Sequence, residues 1–138
     1  MSEQRQKPTG VLVMSYGTPE SLDQVEAYYT HIRHGRPPSP EQLADLVARY
    51  RAIAGGVFPL REHTNRQVEA LQRELDARAG NGRYVCYQGL KHAAPFIEDG
   101  VAQMAADGIE RAVGIVLAPH DSAMSVGAHI RRAEAEAA

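Results

Sequence analysis

Three short apolar runs, each leading into a turn and then into sequence of helical spacing, constrain this chain more than any other feature. Gly10 to Ser15 is the first, ending in Tyr16, Gly17, Thr18 and Pro19. Arg83 to Gln88 is the second, and Ala112 to Ala118 is the third. Runs of this length bounded by turn residues read as strands. The third is almost unbroken apolar, the pattern of a strand buried on both faces.

Helices fill the intervals. From Ser21, apolar side chains recur at Leu22, Val25, Tyr29 and Ile32, and Gly35 closes the segment ahead of Pro37, Pro38 and Pro40. Ser39 with Pro40 and Glu41 is a strong helix start, a capping serine before a proline at the first helical position. Leu43, Leu46, Val47 and Tyr50 give that helix one apolar face, which ends at Gly55 and Gly56. A third helix presents Val68, Leu71 and Leu75 and stops at Gly80. Pro95 opens a fourth, with Ile97, Val101 and Met104 inward, closed by Gly108. Ser125 to Ala137 is the last. The order strand, three helices, strand, helix, strand, helix predicts an α/β fold of flavodoxin or Rossmann type. It has a parallel sheet, helices on both faces and right-handed crossovers.

With 138 residues, 43% hydrophobic and 23% charged, the chain suits one compact domain over residues 1–138. A formal net charge of −2 offers no footprint for nucleic acid. No stretch approaches the roughly 20 apolar residues that span a bilayer, and Met1 to Lys7 is polar. These features predict a soluble, cytoplasmic protein. The lone Cys86 sits in an apolar run and reads as a small buried hydrophobe rather than a ligand.

Ligands of parallel sheets bind beyond the carboxyl ends of the strands. That rule selects the loops Tyr16 to Ser21, Gly89 to Ala94 and Pro119 to Ser125. They carry Tyr16, then Lys91 and His92, then His120, Asp121 and Ser122. Each has a plainer reading: Tyr16 as an anchored edge of the core, the histidines as surface residues. His31, His34 and Arg36 fit a solvated helix end whose cations oppose the dipole. No HxxxH, CxxC or HExxH metal pattern is present, and no phosphate loop. The residues alone reach a flavodoxin-like domain with a polar site above its sheet.

Longer strings go further. Val11 to Pro19, Tyr28 to Arg33 with Gly35 and Arg36, and Arg49 with Tyr50 come first. The Gly55 to Leu60 string, Gly89 to His92, Pro95 to Asp99 and Leu117 to His120 follow in order. Together they resemble the N-terminal half of the coproporphyrin-using ferrochelatases of Gram-positive bacteria. The resemblance implies a fold of two similar α/β halves holding a porphyrin between them, and insertion of Fe²⁺, a substrate, into coproporphyrin III. No permanently bound cofactor is implied. By position, Tyr16 matches the tyrosine that lies against the metal as an axial ligand. Arg33 and Arg49 match arginines that pair with propionates, a task suited to a guanidinium fork. His34, Lys91, His92, Ser122 and His129 fall at or near propionate positions, and His120 is the candidate catalytic histidine.

Departures cluster at those same places. His34 stands where a second arginine is common, and Phe58 where a serine would bond a propionate. Ala54 reads as an insertion, Asp121 replaces an aromatic and His129 replaces a tyrosine. The family's second half, with its histidine and glutamate, has no counterpart in these 138 residues. The resemblance therefore implies one of three roles. These are a half-enzyme acting as a homodimer that rebuilds the cleft, a non-catalytic porphyrin- or heme-binding half-domain, or an inert gene fragment associating through its exposed half-cleft.

Overall fold

The computed structural model describes residues 6–55, 58–118, 122 and 124–138. Three parallel strands, β1 (Thr9–Ser15), β2 (Tyr84–Leu90) and β3 (Ala112–Val116), form a sheet in the order β2-β1-β3. Helices α1 (Val25–Ile32), α2 (Pro40–Ala54) and α3 (Pro59–Ala79) link β1 to β2. Helix α4 (Ile97–Ala106) links β2 to β3, and α5 (Val126–Ala137) follows. Neighbouring residues of β2 show that both faces carry helices. The Gln88 side-chain amide donates to Asn65 Oδ1 of α3 at 2.8 Å, whereas Gly89 abuts Ile97 of α4. This is the open α/β arrangement that the alternation of elements predicts.

The core lies where β1 meets α4, with Leu12, Met14, Ile97, Val101 and Met104 all buried. A smaller apolar cluster of Tyr28, Leu90 and Ala93 sits under the carboxyl end of the sheet. Tyr28 rather than Tyr29 is the buried aromatic of α1, because its hydroxyl donates to the Gly17 carbonyl at 3.1 Å. A single 3₁₀ turn, Leu22–Gln24, precedes α1.

Helix ends follow local chemistry. The Ser39 hydroxyl accepts from the Gln42 N–H at 3.2 Å and the Gln42 side chain accepts from the Ser39 N–H at 3.0 Å. This is a complete capping box. Helix α1 closes with the Gly35 N–H on the Thr30 carbonyl and the His34 N–H on the His31 carbonyl. In that Schellman closure the left-handed position, φ 56°, falls to His34.

Several expectations change. Strand β2 runs to Leu90, and α4 starts at Ile97 rather than Pro95. The Leu90 N–H donates to the Pro95 carbonyl at 2.8 Å, which keeps Pro95 and Phe96 extended beside the strand. Cys86 is only half-buried. The apolar face of α2 is half-covered at Leu43, Leu46, Val47 and Tyr50. Most consequentially, β3 is not enclosed. It is the edge of the sheet, with Val113 52% and Ile115 36% exposed. On that face helix α3 packs against β2.

Candidate functional site

The carboxyl ends of β1 and β2 are laced together beyond the last ladder pair. The Lys91 N–H donates to the Ser15 carbonyl at 2.9 Å and the His92 N–H to the Tyr16 carbonyl at 3.1 Å. Gly17 permits the turn that follows: its φ is 85°, and a Cβ there would lie 2.9 Å from the Leu90 Cβ. The result sets Tyr16, 48% exposed, on the ring of His92, 8% exposed, edge-on at 4.6 Å between centroids.

His92 is held from below. Its Nδ1 lies 2.9 Å from Nδ1 of His31, and the His31 ring stacks on Phe96 at 5.0 Å. A bond between two Nδ1 atoms requires that one ring donate and the other accept, so only one of the two Nδ1 atoms can be protonated while it is kept. Burial lowers the His92 pKa from 6.5 to about 4, with the charges of His31 and Lys91 adding to it. His31 is lowered as well, again chiefly by burial. The Tyr16 phenol is raised by burial and by the neighbouring phenol of Tyr29, and Tyr50 is raised by burial and by Tyr29 and Tyr16. At neutral pH the centre of the site is therefore aromatic and uncharged.

Two arginines fix the loops. Arg61 of α3 donates to the Thr18 carbonyl at 3.1 Å, the Ala94 carbonyl at 2.6 Å and Glu20 at 2.7 Å, tying the first loop to the second. Arg132 of α5 grips Glu98 through two bonds, at 2.6 and 2.7 Å, and donates to the Lys91 carbonyl at 2.7 Å. The fork geometry of guanidinium allows one side chain to hold three points. Between β1, β2 and α3 lies a cleft of about 240 Å³ bordered by Tyr16, Thr18, Arg61, Gln88 and Leu117. The buried oxygens Thr18 Oγ1 and Gln88 Oε1 have no partner there among the described residues.

The residues singled out in the sequence divide as follows. Tyr16 and His92 meet. Lys91 shares their loop, its Nζ donating to the Met124 carbonyl at 2.5 Å. Arg33 ends α1 and bonds Gln42 Oε1 at 3.2 Å, and Arg49 of α2 pairs with Asp45 at 2.8 Å. Exposed pairs of this kind are worth little and are free to exchange partners. His34 is exposed at the close of α1. Ser122 is exposed and accepts the N–H groups that start α5. His129 is turned inward, 2% exposed, with Nδ1 against the Ser125 carbonyl at 2.7 Å and Nε2 buried without a partner among the described residues. Phe58 is buried against Tyr50, at 5.2 Å between ring centroids. His120, Asp121 and Pro119 lie outside the described residues. Sequence reasoning missed the roles of His31, Arg61 and Arg132. All three act through partners more than thirty residues away, and the only local signal was that His31 and Tyr29 share a helix end.

A doubly wound α/β protein is thus defined, with its site at the strand ends, an uncharged aromatic centre and cations on the neighbouring segments. The chain belongs to the ferrochelatase family: the family model described as Ferrochelatase matches residues 8–138. It is 55% identical over 129 residues to coproporphyrin III ferrochelatase 2 of Bacillus thuringiensis subsp. konkukian, covering 94% of this chain and 40% of that relative. It is 52% identical to the coproporphyrin III ferrochelatases of Oceanobacillus iheyensis, over 92% of this chain, and Geobacillus thermodenitrificans, over 95%. Those matches cover 40% and 41% of the two relatives. The chain thus spans about two fifths of the length of these curated relatives. Among the described residues, no helix is long and apolar enough to cross a membrane.

Proposed function

We propose that residues 1–138 are the N-terminal domain of a ferrochelatase. They would form one wall of a porphyrin cleft serving the insertion of Fe²⁺ into coproporphyrin III, in heme biosynthesis in the cytoplasm. The observation that carries this reading is the half-exposed Tyr16 phenol, set on a buried histidine at the carboxyl edge of the sheet. A flat macrocycle lies well on such an aromatic surface. An uncharged centre does not repel an arriving Fe²⁺, and a neutral phenol oxygen can face the metal. Coproporphyrin III carries four propionates, which suit Arg33, Arg49 and Lys91 around that centre, with His34 and Ser122 as polar neighbours. His129, turned inward, would act by supporting α5 rather than by touching a propionate.

Metal insertion releases the two pyrrole protons, which need an acceptor. His92 is a poor one: at about pKa 4, and already bonded to His31, it accepts no proton near pH 7. With His92 set aside as acceptor and the candidate His120 outside the described residues, our reading is binding without turnover by these 138 residues alone, with catalysis completed by a second wall.

The test is a visible-absorption titration of the chain with coproporphyrin III, followed by anaerobic Fe²⁺. The expected result is a shifted Soret band that converts to the coproheme spectrum no faster than a protein-free control. A weaker shift is expected for Tyr16→Ala and for the pair Arg33→Ala, Arg49→Ala. Rapid conversion would overturn the non-catalytic reading, and no shift at all would overturn the porphyrin site.

A further inference from the structure

Arg61 stands where a cation needs a reason. It lies in the first turn of α3, and its backbone N–H donates to the Phe58 carbonyl at 3.1 Å. The helix dipole disfavours positive charge at that end. The side chain nevertheless folds in, with 11% of it exposed, and borders the cleft that Tyr16 also borders. A guanidinium beside a porphyrin cleft invites assignment as one more propionate partner. Its bonds point to a different task.

Nη1 donates to the Thr18 carbonyl at 3.1 Å, and Nη2 to the Ala94 carbonyl at 2.6 Å and to Glu20 at 2.7 Å. Glu20 is exposed, so that ion pair adds little, and the two carbonyls matter more. Thr18 follows shortly after Tyr16, and Ala94 shortly after His92. On the strand side the same loops are joined by the Lys91 N–H on the Ser15 carbonyl and the His92 N–H on the Tyr16 carbonyl. The meeting of the Tyr16 and His92 rings is thus bracketed, by backbone bonds on the strand side and by Arg61 on the far side.

We propose that Arg61 is a positioning residue for the porphyrin wall proposed above, on which this rests. It fixes the spacing of the two loops, and through them the Tyr16 phenol that would face the metal, and it takes no propionate itself. The fork is what the task requires, because one planar group reaches carbonyls of two loops at once. A lysine keeps the charge but is a point charge on a flexible stem and does not reproduce the fork. Substitution by lysine therefore separates positioning from charge.

The test is a Soret titration of the 138-residue chain, Arg61→Lys and Arg61→Ala with coproporphyrin III and with mesoporphyrin IX, which carries two propionates. Circular dichroism establishes that the variants are folded, and amide hydrogen exchange is followed without ligand. Both variants should weaken both porphyrins by one common factor of about ten, the worth of a charge-assisted hydrogen bond. In both, exchange of the His92 amide should quicken more than that of Leu12 in β1. Wild-type binding by Arg61→Lys, or a loss confined to coproporphyrin III, would show a direct propionate contact and overturn the proposal. So would equal changes at the two amides. Arg61→Lys alone decides the matter if Arg61→Ala does not fold. A parent chain that shifts no Soret band would remove the porphyrin wall itself, while the exchange rates would still decide whether Arg61 holds the loops.

Discussion

His92 links residue chemistry to pH. Its ring is largely withdrawn from water, and its Nδ1 is committed to His31, so burial lowers its pKa in the folded chain to about 4, against 6.5 when unfolded. Between those values the unfolded chain binds the extra proton. Stability is therefore complete above about pH 6.5 and is lost as the pH falls toward 4, with no further loss from this group below that. Since each pKa unit corresponds to about 1.4 kcal/mol, the loss is on the order of 2 kcal/mol once partial solvent access is allowed for. The lowered His31 acts in the same direction. Urea midpoints at pH 7 and pH 5 should show this loss, and His92→Gln should flatten it; an unchanged midpoint would show that the pair is solvated. In the sequence, Lys91 and His92 read as a basic pair. Adjacent side chains diverge, however, and only the fold shows that one reaches Met124 while the other enters the interior.

At the scale of elements, α4 meets the backbone of β2 in close approach. A Cβ added at Gly100 would sit 2.7 Å from the Gln88 carbonyl oxygen and 2.8 Å from Leu12 Cδ1. The first of these is backbone and cannot step aside. Alanine gains about 1 kcal/mol over glycine in a helix, but forcing α4 off the sheet costs roughly 1–3 kcal/mol. Gly100→Ala should therefore destabilise the chain despite its better helix propensity, measured as a lower thermal midpoint. A higher midpoint would mean that α4 shifts freely. The helices and their order were legible because caps such as Ser39 with Gln42 are local and amphipathic spacing is periodic. The exposure of β3 was not. An apolar run looks the same whether a strand is flanked on both sides or on one, since nothing in Ala112 to Ala118 records which neighbours stand beside it. The start of α4 was misread because Pro95 suits a first helical position, while a bond from Leu90 keeps it in the extended segment.

The whole molecule gathers its site from distant parts of the chain. His31 and His92 are 61 residues apart, and Arg132 reaches 41 residues back to Lys91. Sequence strings carried the family and most of the strand-end residues. The supporting clamps depend on how α3 and α5 fold back over the loops, which no short string encodes. One consequence of this convergence is optical. The chain contains six tyrosines and no tryptophan. Tyr16, Tyr28, Tyr29 and Tyr50 lie close enough to influence one another's ionisation. Most of the intrinsic ultraviolet emission therefore originates at the strand ends, where the proposed ligand would rest. Coproporphyrin III bound there should extinguish more than half of that emission by energy transfer. Full brightness alongside a shifted Soret band would move the ligand elsewhere. The fold has, in effect, placed its own fluorophores around the position it needs to report.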